Sequence, residues 1–219
     1  MSTPILIKPF KKYSQFNEDG IIESIFSRIK ENDKFFVEIG CGPNGIECNT
    51  RFLKERGWKG IQIDLLSRDP DVLRHRIGKD NVNSILAQNN VPTMFDLFSL
   101  DIDSNDYWVL KSFLSQYRPR VVVCEYNCYF GPDKSVTLKY NPNQKWDGVS
   151  WTYGASLAAF DKILTSCEYK LVSTSAGVNA FWVNNTDILK YDILVPTKAD
   201  VFTTLVRNRK FVDGCWVNV

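Results

Sequence analysis

Carboxylates crowd two short stretches of this chain. "SLDIDSND" (99–106) presents Asp101, Asp103 and Asp106, and "RVVVCEYN" (120–127) ends with Glu125 and Asn127. Each stretch is apolar up to its acid, as a buried parallel strand would be. Neighbouring strands would bring these oxygens to one rim of a sheet, where they repel one another unless a cation or shared protons intervene. Hard oxygen ligands of this kind suit Mg2+, Mn2+ or Ca2+. Helix capping is the other reading for Asp103 and Asp106, because "DYWVLKSF" follows and Asp is favoured at a helix start. Asp101 and Glu125 lie inside the apolar strands, where an unpaired carboxylate is expensive, so chemistry is the expectation for them.

A second constellation precedes these acids. "FFVEIGCGPNGIECNT" (35–50) carries Gly40, Gly42 and Gly45 at the GxGxxG spacing, directly after an apolar run. That spacing lets a backbone turn tightly and approach a dinucleotide pyrophosphate. Glu38, two residues before the first glycine, can accept hydrogen bonds from loop amides or from a cationic amino group. "GIQID" (60–64) then ends in Asp64, about where a ribose-binding carboxylate is expected. The glycine loop by itself does not separate a nicotinamide cofactor from another adenosine-containing molecule.

The elements that must position these residues alternate between strand and helix patterns. Strands are expected at 35–40, 60–64, 95–103, 120–127, 169–173 and 179–184. Helices are expected in "EDGIIESIFSRIKE", in "IECNTRFLKERG" running from the glycine loop to a stop at Gly57, in "DYWVLKSFLSQY" and in "GASLAAFDKILTSC". "VNSIL" (82–86) fits either state. Such alternation predicts a doubly wound α/β sheet, which binds ligands beyond the carboxyl ends of its strands. "FGPDKSVTLKYNPNQKWDGVSW" (130–151) is too long for an ordinary connection and suits a lid or binding loop as well as a surface excursion.

Composition limits the alternatives. With 219 residues, 44% hydrophobic and 24% charged, the chain suits one folded domain spanning 1–219. A helical cap is expected over about 1–33 and an aromatic acceptor loop over about 129–152. A net charge of +2 is too small to argue for a nucleic-acid surface. No apolar run reaches membrane-spanning length, and "MSTPILIKPFKKYSQ" lacks a signal-peptide core, so a soluble cytoplasmic protein is expected. Six cysteines form no CxxC pair and read as buried free thiols. The single histidine, His75, reads as a solvated helix residue.

Taken together the motifs resemble a known family. "FVEIGCGPNG" looks like motif I of S-adenosylmethionine (SAM)-dependent methyltransferases, in which an acid precedes the glycines by two. "YSQFNEDGIIESIF", "NTRFLKERGWKGIQID", "FDLFSLDIDSNDYWVL", "PRVVVCEYN" and "YGASLAAF…GVNAFWV" resemble the FkbM-like branch, over about residues 13–183. The resemblance implies a three-layer α/β/α Rossmann-like fold with a mostly parallel seven-stranded sheet, and O-methylation of a hydroxyl on a sugar or other small-molecule acceptor. A deoxyhexose such as rhamnose is the first expectation. It further implies that Glu38, Gly40, Gly42, Asn44 and Gly45 line the methionine and ribose side of SAM, that Asp64 holds the ribose, and that Asp101 stands beside the reactive methyl group.

Metal-dependent O-methyltransferases of this fold place acids after strands four and five around Mg2+. Asp101 and Glu125, with Asn127 or Asp103, match that arrangement, and Asp103 or Asp106 is then the expected proton acceptor. Tyr126, Trp146, Trp151 and Tyr153 are the expected acceptor contacts, although aromatics in such a loop also pack small cores. Two departures stand out: Ser104 replaces a usual glycine, and the stretch 64–81 is short for the strand and helix that complete an adenine pocket. Three rivals remain: a nicotinamide-dependent oxidoreductase, a non-catalytic SAM-fold binding domain, and a nucleic-acid methyltransferase. A glycosyltransferase partner and the oligomeric state are left open.

Overall fold

The structure, a computed structural model, describes residues 2–43, 45 and 47–219. Its elements in chain order are α1 (Glu18–Ile29), β1 (Phe35–Ile39), α2 (Arg51–Glu55), β2 (Lys59–Asp64) and β3 (Leu73–Arg74). Then come α3 (Val82–Gln88), β4 (Leu97–Leu100), α4 (Asp106–Phe113), β5 (Val121–Glu125) and β6 (Val136–Leu138). The remainder is α5 (Leu157–Ser166), β7 (Tyr169–Ser175), β8 (Asn179–Asn184), α6 (Asn185–Lys190), α7 (Lys198–Val201) and β9 (Trp216–Asn218).

Seven strands form one sheet in the order β3-β2-β1-β4-β5-β8-β7. All run parallel except β8, which is antiparallel to both β5 and β7. Side-chain alternation divides the strands between two apolar layers. Val37, Phe98, Val122 and Trp182 face the layer that includes residues of α3, α4 and α5. Phe36, Val121, Val123 and Phe181 face the layer that includes residues of α1, α2 and α6. This is the doubly wound α/β sheet that the strand and helix pattern predicts, in the three-layer α/β/α, Rossmann-like form that the family resemblance implies. No helix among the described residues is long and apolar enough to cross a membrane.

Several local expectations are corrected. The segment 1–33 is no separate cap: Ile21, Ile22, Ile25, Phe26 and Ile29 of α1 are buried in the second layer against sheet residues. Helix α2 starts at Arg51 rather than at the glycine loop, because the N–H groups of Asn49 and Thr50 donate to the Glu38 carboxylate. "VNSIL" is helical, and the third strand is only two residues long. His75 follows that strand in an exposed loop rather than a helix. The six cysteines are free, as expected.

One buried ion network ties the layers together. Asp96 accepts N–H bonds from Asn32, Asp33 and Lys34, closing the turn between α1 and β1. Its other oxygen meets Arg120 at 2.8 Å, and Arg120 also bridges to Asp187 at 2.8 Å. Arg120 donates further to the carbonyls of Ile29 and Lys30 at the end of α1. Removing one member of a buried pair leaves an uncompensated charge, which costs about 3–5 kcal/mol. Asp96→Ala is expected to lose stability of that order in urea unfolding, while an unchanged midpoint would mean that the network is solvated.

Candidate active site

The carboxyl ends of β1, β2, β4 and β5 open into a cleft of 550 Å3. Five acids lie along these ends, and their hydrogen bonds sort them into two groups. Glu38, 2% exposed, accepts from the Asn49 amide at 2.7 Å, from the Thr50 amide at 3.3 Å, and from Cys48, the Thr50 hydroxyl and Gln62. It therefore shapes the loop after the glycines. Asp64 accepts from the Gly42 amide at 3.1 Å with one oxygen and from the Leu66 amide at 2.6 Å with the other. A carboxylate has about four lone-pair positions, so Asp64 retains acceptor capacity toward the cleft that it lines.

Gly40 is dictated by a close approach rather than by a ligand. Its φ is +88°, and a Cβ there would lie 1.5 Å from the Asp101 carbonyl oxygen. The Gly40 amide donates to Ile63 and the Asp101 amide donates to Ile39, which locks three strand ends side by side. Gly42 lines the cleft, whereas Gly45 does not. Asn44 lies outside the described residues.

Asp101, Asp103 and Glu125 form the second group. Their carboxylates lie within 4.8 Å of one another in the cleft, and among the described residues no backbone N–H donates to any of the three. Burial, reinforced by Asp103 and Asp106, holds Asp101 well above the ordinary carboxylate range. Burial and the neighbouring Asp101 and Asp103 do the same for Glu125, which hydrogen-bonds to both. Asp103 is pushed up to about 6, mainly by burial and then by Asp106, against a smaller opposing pull from Arg209. Proton sharing or a bound cation relieves such crowding.

Other expected members are corrected. Asp106 is not in the cluster: it is 1% exposed and accepts from the Ile102 amide at 2.7 Å and the Ser104 amide at 2.8 Å. It holds the loop that carries Asp101 and Asp103, and both its oxygens are occupied. Asn127 is no metal ligand either. Its amide donates to the carbonyls of Trp151 and Tyr153, and its oxygen accepts from the Tyr129 amide. Ser104 does not distort the turn, because the positive φ of 55° falls on Asp103.

Of the four aromatics expected at the acceptor, Trp146 and Tyr153 line the cleft. Tyr126 does not: it is fully buried and its hydroxyl donates to the Thr203 carbonyl at 2.6 Å. Trp151 also stays out of the cleft, 5% exposed and packed with Tyr129 and Tyr153. The aromatic loop thus divides between a small core and the site wall. Asn105 and Asn141 exchange two hydrogen bonds, pinning that loop to the start of α4.

Sequence reasoning missed three parts of the site. Asn49 and Asn179 line the cleft and are almost wholly buried, and the side-chain oxygen of each has no hydrogen-bond partner among the described residues. Leu65 and Leu66, 38% and 63% exposed, and Ile77 flank Asp64 with apolar surface. Arg207 and Arg209 reach the cleft from the C-terminal segment. Asn49 follows the glycine loop closely enough to have been suspected, but nothing local marks the arginines.

No family model matches the chain, and no curated protein does. Among solved structures, the chain is similar to the crystal structure of a SAM-dependent methyltransferase from Clostridium acetobutylicum, at 10% identity and a TM-score of 0.41, covering 76% of this chain and 90% of that one.

The acid cluster sets a pH signature. With a folded pKa of about 6 against an ordinary 3.8, Asp103 binds protons on folding. Its contribution therefore favours folding at low pH and is lost as pH rises from about 4 through 6. Thermal unfolding of the metal-free protein should show wild type losing stability relative to Asp103→Asn across that window. Parallel curves for the two proteins would mean that the carboxylate titrates normally.

Proposed function

We propose that the chain is a SAM-dependent methyltransferase of the FkbM-like kind, transferring a methyl group to a hydroxyl oxygen of a sugar or glycan with the help of a divalent cation. The observation that carries the reading is the trio Asp101, Asp103 and Glu125, in a cleft that Asp64, Leu65, Leu66 and Ile77 also line, as do Trp146 and Tyr153. A hydride-transfer site has no use for three crowded carboxylates, which disfavours the nicotinamide reading.

The cofactor end suits SAM in three respects. Asp64 has spare acceptor positions for two ribose hydroxyls, and Leu65, Leu66 and Ile77 offer apolar surface to an adenine ring. The unpaired oxygens of Asn49 and Asn179 are acceptors for an ammonium group such as that of the methionine moiety. Glu38 fixes the loop that carries Asn49, and its Oε1, which accepts the Asn49 amide alone, keeps acceptor capacity toward the cleft.

The three carboxylates fit Mg2+ or Mn2+ in donor type and spacing. A cation held by Asp101 and Glu125 would lower the pKa of the acceptor hydroxyl. Bound SAM would supply the methyl group, the oxygen–carbon bond forming as the carbon–sulfur bond breaks and S-adenosylhomocysteine leaves. Asp103, pushed up to about 6 by burial and by Asp106, would receive the hydroxyl proton. Trp146 and Tyr153 add aromatic surface to the cleft wall on the acceptor's side, and much of the rate comes from alignment of the reacting atoms.

Calorimetric titration tests the cofactor. S-adenosylhomocysteine is expected to bind and NAD not to, with Asp64→Ala weakening the former at least about tenfold, or about 1.4 kcal/mol. Preference for NAD would overturn the reading. Titration of Mn2+ followed by electron paramagnetic resonance tests the metal: one bound ion in wild type, lost in Asp101→Asn. Equal binding by both proteins would remove the cation from the mechanism.

A further inference from the structure

The C-terminal segment brings positive charge to the cleft that methyl transfer does not require. Residues 202–209 have no regular secondary structure, yet they alternate like a strand. Leu205, Arg207 and Arg209 line the cleft, while Val206 is 96% exposed and Asn208 and Lys210 face solvent. The path is fixed on both sides of the arginines. Thr203 accepts from the Tyr126 hydroxyl at 2.6 Å and from the Gly177 amide at 2.8 Å, and the Lys210 carbonyl accepts from the Trp151 amide at 2.9 Å.

Arg209 is held in a defined orientation by aromatic faces. Its guanidinium carbon lies 4.6 Å from the ring centre of Trp146, 5.2 Å from Trp151 and 5.5 Å from Tyr153. Stacking secures the plane of a guanidinium and leaves its N–H edge for a ligand. Among the described residues, neither Arg207 nor Arg209 has a side-chain hydrogen-bond or carboxylate partner, and neither does the neighbouring Lys145. Arg209 opposes the rise of the Asp103 pKa, so counter-charge to the acids explains part of its presence. Arg207 and Lys145, both exposed at the mouth, add cationic charge at the same end.

We infer that Arg207 and Arg209, with Lys145 beside them, form an oxyanion clamp, so that the hydroxyl to be methylated belongs to an acceptor bearing a carboxylate or phosphate. This rests on the methyl-transfer reading of the same cleft and narrows its acceptor from sugars in general to acidic ones, such as a uronic acid or a sugar phosphate. Arg207, Arg209 and Lys145 draw the anion of such a molecule, and the rest of it shares the cleft with the acid trio.

The test is calorimetric titration at constant ionic strength with inorganic phosphate, D-glucuronate and methyl glucoside, each with and without S-adenosylhomocysteine. Saturable binding of phosphate or glucuronate, at least fivefold weaker in both Arg207→Gln and Arg209→Gln, is the expected result. The anion that binds identifies phosphate or carboxylate as the recognised group. Binding of neither anion, binding unchanged in both variants, or equal binding of methyl glucoside would overturn the clamp. Failure of wild type to bind S-adenosylhomocysteine would instead overturn the methyl-transfer reading, since the anion titrations stand without it. The exposed Arg207 supplies a variant that does not depend on the aromatic stack.

Discussion

Carboxylates that accept backbone N–H groups hold this structure in shape. Asp19 gathers the amides of Lys12, Tyr13 and Ser14, Asp96 those of Asn32, Asp33 and Lys34, Glu38 those of Asn49 and Thr50, and Asp106 those of Ile102 and Ser104. Each satisfies backbone N–H groups at a turn that regular strand or helix pairing does not reach. Charge-assisted bonds of this kind are stronger than neutral ones, so loops with little secondary structure keep defined paths. Glu38 lines the cleft, and Asp106 fixes the loop that carries Asp101 and Asp103.

Against that pattern Asp101, Asp103 and Glu125 are exceptions. No backbone N–H among the described residues donates to them, and they crowd one another with raised proton affinities. The acids that shape loops are relieved by amides, whereas these three lie together at the cleft. Crowding of this kind, in a cleft, marks a functional site. The distinction also separates Asp106 from Asp103, which stand three residues apart and look alike in sequence.

The cleft wall is assembled from distant parts of the chain. The aromatic loop between β5 and α5 supplies Trp146 and Tyr153, and the C-terminal strap supplies Arg207 and Arg209. Neither would hold alone. Strand β6 of the loop pairs with β9 of the tail, and Phe211 stacks on Tyr129 at 4.7 Å. Acids and cations share the cleft wall, with Arg207 and Lys145 exposed to solvent.

The order of strands and helices and the Gly40 turn were legible in the sequence, and Asp101 and Glu125 stood out there as acids inside apolar runs. These depend on local periodicity and on the cost of an acid inside an apolar run, both of which are visible residue by residue. Hydrogen-bond partners and side-chain direction were not legible. Asn127 and Tyr126 looked like site residues because they follow a strand end, yet their polar atoms turn to Trp151, Tyr153 and Thr203. Arg207 and Arg209 lie more than a hundred residues from Asp101 in an unpatterned tail. Only tertiary packing brings that tail to the cleft, because long-range pairing and aromatic stacking have no signature in local spacing.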